Sequence, residues 1–487
     1  MMLLKDLLAP WFHFAGSEVV NAPVLDSRQV AQGGLFVAVP GHAADGRNYI
    51  EAAFAKGAVA VLKHTDDPAA HGLVEREHGL VIHFFQLSRQ VSALARQYYQ
   101  LSPGKLHTIG ITGTNGKTSV SQLIAQLSEH LGHRAAVMGT LGNGLWGELE
   151  DVGNTTADPI RVMADLHRFE VQGARVCAME ASSHGLVQGR IEAVPFEVAV
   201  FTNLSRDHLD YHGDMENYGA AKRRLFSFGS LRASVINLDD KVGEDWFSGI
   251  EHAVGFSCEG HPKAVWRFDN AQFHHAGFSA TLMCPEGEFV LDCRLLGAFN
   301  LSNLLAALCA MNQLGYSAES LVQAAAKLTP VPGRMECFPR ADGLSLVVDY
   351  AHTPDAIEQA LKAARHHCEG RLWIVFGCGG DRDKGKRPLM AAAAERSADM
   401  LVLTSDNARS EDPQSILDDM RAGLKVPDNA LFEVDRIQAI RRAVAQARPG
   451  DLILLAGKGH ETYQEIAGVK HQYDERALAK ALCEEKA

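Results

Sequence analysis

Gly110-Ile-Thr-Gly-Thr-Asn-Gly-Lys-Thr-Ser-Val120 is the stretch on which the reading of this chain turns. Residues 106–111 before it read as a short buried strand. After it, apolar side chains recur at Val120, Leu123, Ile124, Leu127 and Leu131, a helical spacing that stops at Gly132. A glycine-rich turn therefore joins strand to helix. Unpaired N–H groups at a helix N-terminus attract anions, Gly113 and Gly116 let the main chain approach a phosphate, and Lys117 adds a mobile positive charge. The run Gly113, Thr114, Asn115, Gly116, Lys117, Thr118 and Ser119 is thus a phosphate cradle, with the Thr118 hydroxyl placed to face magnesium. The general nucleotide-loop pattern has one more glycine where this chain has Ile111, so the loop is a shorter variant. The competing reading, a turn that merely contains lysine, is weakened by the strand and helix on either side.

At 487 residues the chain exceeds the size at which one core keeps growing, and two to four domains are expected. A formal net charge of −12, with no long lysine or arginine run, argues against a dedicated nucleic-acid binder, so anionic ligands must be met by local sites. The apolar opening is interrupted by Lys5 and Asp6, and no apolar run reaches membrane-spanning length; a cytoplasmic protein is expected. Nine cysteines without a C-x-x-C pair fit reduced thiols and support neither a zinc site nor a disulfide framework.

Residues 24–64 read as a small α/β domain whose polar loops, Ser27-Arg28 and 42–47, either hold a ligand or are plain turns. A helix over 91–99 and a linker over 101–105 follow, so a second domain begins near residue 90. There the apolar runs 174–179, 197–201 and 233–237 alternate with helical segments, which implies a largely parallel sheet with ligands beyond the strand C-terminal ends. Glu180 follows the first run and suits magnesium, which prefers oxygen ligands; the alternative is a helix cap. His208 lies in the polar segment after the second run, as a ligand or as a packed structural histidine. Residues 264–295 alternate like antiparallel strands, a helix resumes over 299–308, and Pro330-Val-Pro-Gly-Arg334 marks a hinge. Beyond it, the apolar runs 344–348, 372–376, 400–403 and 452–455 each end in a loop carrying charge of both signs, as a pocket for a zwitterion would.

Gly113-Thr-Asn-Gly-Lys-Thr118, Glu180-Ala-Ser-Ser-His-Gly185, Thr202-Asn-Leu-Ser-Arg-Asp-His-Leu-Asp210, Gly333-Arg334, Asp349-Tyr-Ala-His-Thr-Pro354 and Gly457-Lys-Gly-His-Glu461 stand in the order and rough spacing of the Mur ligases, and the resemblance covers nearly the whole chain. It implies an α/β protein of three domains: a small N-terminal UDP-sugar domain (1–89), a central P-loop ATPase domain with a mostly parallel sheet (90–331), and a C-terminal Rossmann-like amino-acid domain (332–487). Asn154-Thr-Thr156, Gln188 with Arg190, and the 406–409 motif are similar to the branch that adds the third peptide residue, usually meso-2,6-diaminopimelate, in peptidoglycan precursor synthesis.

Carried over residue by residue, the resemblance implies a nucleotide sugar on Leu25, Ser27, His42, Ala43 and Ala44, with its dipeptide end at Asn154, Thr155, Thr156, Ser182, Gln188 and Arg190. Magnesium would be held by Thr118, Glu180 and His208, with Lys222 as a carbon-dioxide-derived carbamate; without the resemblance, Lys222 reads as a helical surface lysine. Adenine and ribose would meet Asn303, Arg334 and Asp349, and Lys117, Glu180, His208 and Lys222 would carry catalysis. The incoming amino acid would meet Arg382, Asp406, Asn407, Ala408, Arg409, Gly457 and Glu461.

One departure from the family pattern stands at Ala408, where the diaminopimelate motif has proline; alanine leaves φ unfixed, so a looser loop is expected. Arg409 remains, and a guanidinium fork suits the distal carboxylate that lysine lacks. The resemblance thus implies an ATP-dependent amide ligase acting through an acyl phosphate on small-molecule substrates, as a monomer without nucleic acid or membrane. The alternatives are a lysine-adding ligase, another Mur ligase or folylpolyglutamate synthetase relative, and a nucleotide-dependent switch that makes no amide.

Overall fold

The computed structural model describes every residue except 42, 43, 103, 151, 152, 154, 275, 276 and 485–487, and Asp210 through its backbone alone. Two compact units divide the chain, Met1–Val254 and Gly255–Ala487.

In the first unit, Pro23–Val24, Gly34–Ala38, Ala58–Thr65 and Leu80–Phe85 form a parallel sheet in that order, with the short antiparallel strand Val74–Glu75 at its edge. Phe36, Ala38, Val61 and Val81 pack with Ala53 of the helix Ile50–Ala55 to make its core. The helix that follows is Leu87–Tyr99, longer than its apolar pattern alone shows.

The second sheet of this unit has the order Gly142–Leu145, Ala135–Gly139, Val176–Glu180, His107–Thr112, Phe196–Phe201, Ala233–Asn237. All its neighbours are parallel except the Gly142–Leu145 hairpin strand. Every residue of Val176–Glu180 is buried, as expected for a sheet covered on both faces. The loop's helix is Lys117–His130, and from Thr118 to Ser128 it is enclosed on all sides. Its small polar residues are the price of that enclosure, and Ser121 Oγ accordingly donates to the Thr118 carbonyl at 3.0 Å. Asp158 caps the next helix, Pro159–Val171, by accepting from the N–H groups of Ile160 and Arg161, with Pro159 in the first turn.

In the second unit, Trp266–His274, Gly277–Cys284 and Gly287–Cys293 make the antiparallel meander expected over 264–295. The helix Ala298–Gln313 follows. The last sheet runs Glu336–Pro339, Ser345–Asp349, Leu452–Ala456, Leu372–Phe376, Met400–Leu403, Ala430–Phe432. Its four central strands match the four apolar runs. The two edges are short and only half-buried, too weakly patterned to stand out in the sequence. Ile374 and Phe376 face one core while Trp373 and Val375 face the other, so Leu372–Phe376 is apolar throughout. Burial of each such side chain contributes roughly 1.5–3 kcal/mol. A hairpin of Tyr463–Ile466 and Val469–Gln472 closes the chain's last long loop. Among the described residues no helix is long and apolar enough to cross a membrane.

Within this second unit the side chains of Arg436 and Glu475 are both fully buried. The guanidinium Nη2 donates to Glu475 Oε1 at 2.9 Å and to the Ala456 carbonyl at 2.8 Å, Nη1 donates to the Ser405 carbonyl at 3.3 Å, and Tyr473 Oη donates to Glu475 Oε2 at 2.6 Å. Arg436→Met strands the Glu475 charge in the core, and we expect a loss of about 3–5 kcal/mol of local stability. Hydrogen exchange of the strands Leu372–Phe376 and Leu452–Ala456 measures it; protection unchanged in that variant contradicts the expectation.

Candidate active site

The phosphate loop is strapped to the segment that follows the strand Phe196–Phe201. Thr114 N–H donates to the Asn203 carbonyl at 2.9 Å, Asn115 N–H to Asn203 Oδ1 at 2.9 Å, and Thr202 Oγ1 to the Asn115 carbonyl at 2.6 Å. Gly113 sits at φ +150°, and a Cβ there would lie 1.9 Å from Thr202 Oγ1. The glycine is required by close approach as well as by its dihedral. Gly116, at φ +86°, turns the chain into the helix Lys117–His130.

Parallel register pairs Glu180 with Ile111, one residue before the loop strand ends. That places the Glu180 carboxylate, almost fully buried, under the loop. Thr118 Oγ1 donates to Glu180 Oε1 at 2.9 Å, Thr140 N–H donates to the same oxygen at 2.9 Å, and Thr140 Oγ1 donates to Oε2 at 3.1 Å. A buried carboxylate dressed only with hydroxyl and amide donors is a hard oxygen site beside a phosphate cradle, so Thr118 and Glu180 fit magnesium.

Two lysines meet on one oxygen. Lys117 Nζ donates to the carbonyls of Gly113 and Thr114, each at 2.8 Å, and Lys222 Nζ donates to the Gly113 carbonyl at 2.7 Å. Lys222 is almost fully buried, and its Nζ lies 4.4 Å from the Tyr218 ring centre. Burial, and then the neighbouring Lys117 charge, push the Lys222 amine well below the ordinary lysine value. The surface-lysine reading of Lys222 therefore fails: its amine is inside.

His208 is exposed, at φ +51°, with its Nε2 3.4 Å from Asp207 and its ring 5.1 Å from that of His184. Its recorded partners do not include Glu180, and among the described residues no three His, Cys, Asp or Glu side chains gather as a metal cluster. Thr156, Ser182, Gln188 and Arg190 do come together. Thr156 Oγ1 and Ser182 Oγ are 2.9 Å apart, Arg190 Nη1 donates to the Thr156 carbonyl at 2.6 Å, and Arg190 Nε donates to Gln188 Oε1 at 2.9 Å. Thr155 Oγ1 lies 3.2 Å from Thr140 Oγ1, which joins this group to Glu180. Leu25 and Ser27 follow the strand Pro23–Val24, and Ala44 lies in the loop after the parallel strand Gly34–Ala38. His42, Ala43 and Asn154 lie outside the described residues.

In the second unit, both oxygens of Asp349 accept backbone N–H groups, from Met335 at 2.9 Å and Ala351 at 2.8 Å. Burial nevertheless raises its carboxyl above the ordinary range, against the opposing pull of Arg334. The Arg334 guanidinium lies 4.6 Å over the Tyr350 ring, and its buried Nε has no hydrogen-bond partner among the described residues, which leaves a donor for a ligand. Asn303 donates to Asn300 Oδ1 within its own helix.

The 406–409 loop is anchored from two sides. Gly380 N–H donates to the Asn407 carbonyl, Glu465 N–H to Asn407 Oδ1, Arg409 N–H to the Glu465 carbonyl and Gln464 Nε2 to the Asp406 carbonyl, all at 2.9–3.0 Å. Ala408 is fully buried in the core. The constraint that proline would supply through its ring is met here by hydrogen bonds and packing. Arg409 Nη1 donates to the Gly380 carbonyl at 2.6 Å, and a Cβ on Gly379 would touch both Arg409 and the stem of the exposed Arg382. Asn407 Nδ2 donates to Glu461 Oε2 at 3.0 Å, and Gly457 lies beside Asp406. Lys458 was absent from the expected set, and it sits fully buried in the middle of this group. Its letter lay within the quoted Gly457-Lys-Gly-His-Glu461; nothing in the letters says that the side chain points inward.

Residues 24–99 match the catalytic domain of the Mur ligase family, 111–311 the Mur ligase middle domain and 333–459 the Mur ligase glutamate ligase domain. Over 99% of this chain and 98% of the relative, the sequence is 47% identical to the UDP-N-acetylmuramoyl-L-alanyl-D-glutamate–2,6-diaminopimelate ligase of Vibrio cholerae serotype O1. The chain belongs to the Mur ligase family. A solved structure of a UDP-N-acetylmuramoyl-L-alanyl-D-glutamate–2,6-diaminopimelate ligase is 40% identical, with a TM-score of 0.74 and 99% of both chains covered. A MurF ligase from Thermotoga maritima, solved with ADP, shares the fold at 18% identity, a TM-score of 0.66, and 91% and 95% coverage. The three-domain α/β architecture expected of a Mur ligase is the one these neighbours share.

In this Mur ligase, the loop's closest approach is at Gly113. Gly113→Ala forces its Cβ into Thr202 Oγ1 or shifts the loop, and strain of about 1–3 kcal/mol corresponds to roughly five- to 150-fold weaker nucleotide binding. Titration with a non-hydrolysable ATP analogue reads this, and unchanged affinity contradicts it.

Proposed function

We propose that this Mur ligase joins meso-2,6-diaminopimelate to the D-glutamyl γ-carboxylate of UDP-N-acetylmuramoyl-L-alanyl-D-glutamate at the expense of ATP, a step of peptidoglycan precursor synthesis. The observation that carries this reading is the 47% identity, over 99% of the chain, to a ligase named for that activity. The anchored 406–409 loop supports it, because Arg409 offers a guanidinium to a distal carboxylate.

Residues 1–89 take the UDP-sugar through Leu25, Ser27, His42, Ala43 and Ala44, residues 90–331 the ATP phosphates, and residues 332–487 the amino acid. The dipeptide end lies at Asn154, Thr155, Thr156, Ser182, Gln188 and Arg190, and the adenine and ribose meet Asn303, Arg334 and Asp349. Arg382, Asp406, Asn407, Ala408, Arg409, Gly457 and Glu461 receive diaminopimelate. The protein works as a monomer in the cytoplasm, without nucleic acid or membrane.

A carboxylate oxygen is a poor leaving group, so the γ-carboxylate attacks the γ-phosphate of ATP, forming an acyl phosphate and ADP. Lys117 exchanges its carbonyl partners for phosphate oxygens and stabilises the charge in transfer. Thr118 and Glu180 would hold magnesium, with His208 as a further candidate ligand, and the ion would supply further neutralisation of phosphate charge. The diaminopimelate amine then displaces phosphate to give the amide. Lys222 is poised for carbamylation, since only an uncharged amine attacks carbon dioxide, and burial followed by the neighbouring Lys117 charge shifts this amine toward the uncharged form. Addition of that amine to carbon dioxide, with release of one proton, would set a carboxylate beside the Lys117 cation.

Phosphate release is expected only when ATP, magnesium, the nucleotide dipeptide and diaminopimelate are all present, with new amide detected by mass. A switch that makes no amide hydrolyses ATP regardless of the other two, and equal use of lysine sinks the Arg409 argument. Lys222→Ala is expected to lower kcat/KM by about a hundredfold or more, unrestored by high bicarbonate. Full activity in that variant refutes the carbamate.

A further inference from the structure

Lys458 is fully buried, and among the described residues its ammonium is met by side chains. Its Nζ donates to Asn407 Oδ1 at 2.9 Å and Glu461 Oε2 at 2.9 Å, and lies 3.2 Å from Asp406 Oδ1. The three partners are residues assigned above to the incoming amino acid. Asp406 and Asn407 are nearly buried as well. Burial alone would raise the Asp406 carboxyl, but Lys458 and then Arg436 more than reverse this and leave it below the ordinary value.

Two carboxylates and one ammonium leave this cluster with a single net negative charge. Beside it, Arg409 is paired with Glu465 at 3.8 Å, and its guanidinium reaches Gly380. The distal end of diaminopimelate is a zwitterion, one ammonium and one carboxylate. The distal end of lysine is an ammonium alone. A cluster with one surplus negative charge matches the ammonium while leaving the carboxylate to Arg409; a cluster with two would repel that carboxylate and favour the simple cation. Like charges in so dry a site act with little screening.

We infer that Lys458 is the internal counter-ion of the acceptor pocket, a specificity-determining residue that sets its charge for a zwitterionic side chain and orients Asn407 and Glu461. It acts through those residues and is a positioning group. The inference rests on the reading of 406–409 as the acceptor loop.

The test is steady-state ligation by the full chain with ATP, magnesium and the nucleotide dipeptide, using diaminopimelate or lysine as acceptor. In Lys458→Met, the ratio of kcat/KM for diaminopimelate over lysine is expected to fall about tenfold or more, carried by KM for diaminopimelate, with KM for ATP unchanged. The double variant Lys458→Met, Asp406→Asn returns the cluster to one negative charge, and the ratio is expected to recover from that of Lys458→Met. A ratio equal to wild type in Lys458→Met overturns the inference while leaving the proposed function standing. So does a double variant whose ratio falls further, which also decides the matter if the single variant fails to fold. Wild-type protein that forms no amide with either acceptor overturns both.

Discussion

The parallel pairing of Val176–Glu180 with His107–Thr112 is the constraint on which the nucleotide site depends. A phosphate loop is useful only if an oxygen ligand for the metal stands at a fixed height beside it. Sheet register provides that without any dedicated contact, because Glu180 is the residue opposite Ile111 and a slip of one position would turn its side chain to the other face. Thr118, the second residue of the loop's helix, then meets Glu180 with no freedom left to either. The strand Phe196–Phe201, on the other side of the loop strand, delivers Thr202 and Asn203 by the same geometry, and these strap the loop from below.

The second unit solves a related problem with charge. The loops that carry Asp406 and Lys458 leave the ends of Met400–Leu403 and Leu452–Ala456, two strands that are not neighbours in the sheet. Arg436 ties the two ends together through the carbonyls of Ser405 and Ala456, and Glu475 neutralises it in the core. A buried ion pair is a poor source of net stability, since desolvation offsets most of the attraction. Its value here is geometric: a planar cation with several donors is able to hold two carbonyls and a carboxylate at once.

Strand order along the chain, the helix after the phosphate loop and the strand-end loops were legible because they rest on apolar runs and on glycine, signals that act locally. The edge strands Glu336–Pro339 and Ala430–Phe432 were not, since half-buried three- and four-residue segments carry almost no pattern. Among candidate site residues, the place of Glu180 at a strand end beside the loop was readable, whereas Lys222 was singled out by family resemblance alone. What makes Lys222 unusual is Tyr218 and Lys117 around its amine, and proximity across the fold leaves no mark in spacing. Ala408 shows the converse. Its letter suggested a loosened loop, while the loop's anchors lie at Gly380, Gln464 and Glu465, far away in sequence.

Three lysines show how one side chain serves three ends through its surroundings. Lys117 donates to two backbone carbonyls of the loop itself, those of Gly113 and Thr114. Lys222 shares one of those carbonyls but is buried near the Lys117 cation, and both shift its amine toward the neutral form. Lys458 is as deeply buried but pairs with two carboxylates, Asp406 at 3.2 Å and Glu461 at 2.9 Å. Burial alone therefore predicts nothing about a lysine's role. The sign of the nearest charges distinguishes the two buried amines: Lys222 lies beside the Lys117 cation, whereas Lys458 lies between the carboxylates of Asp406 and Glu461.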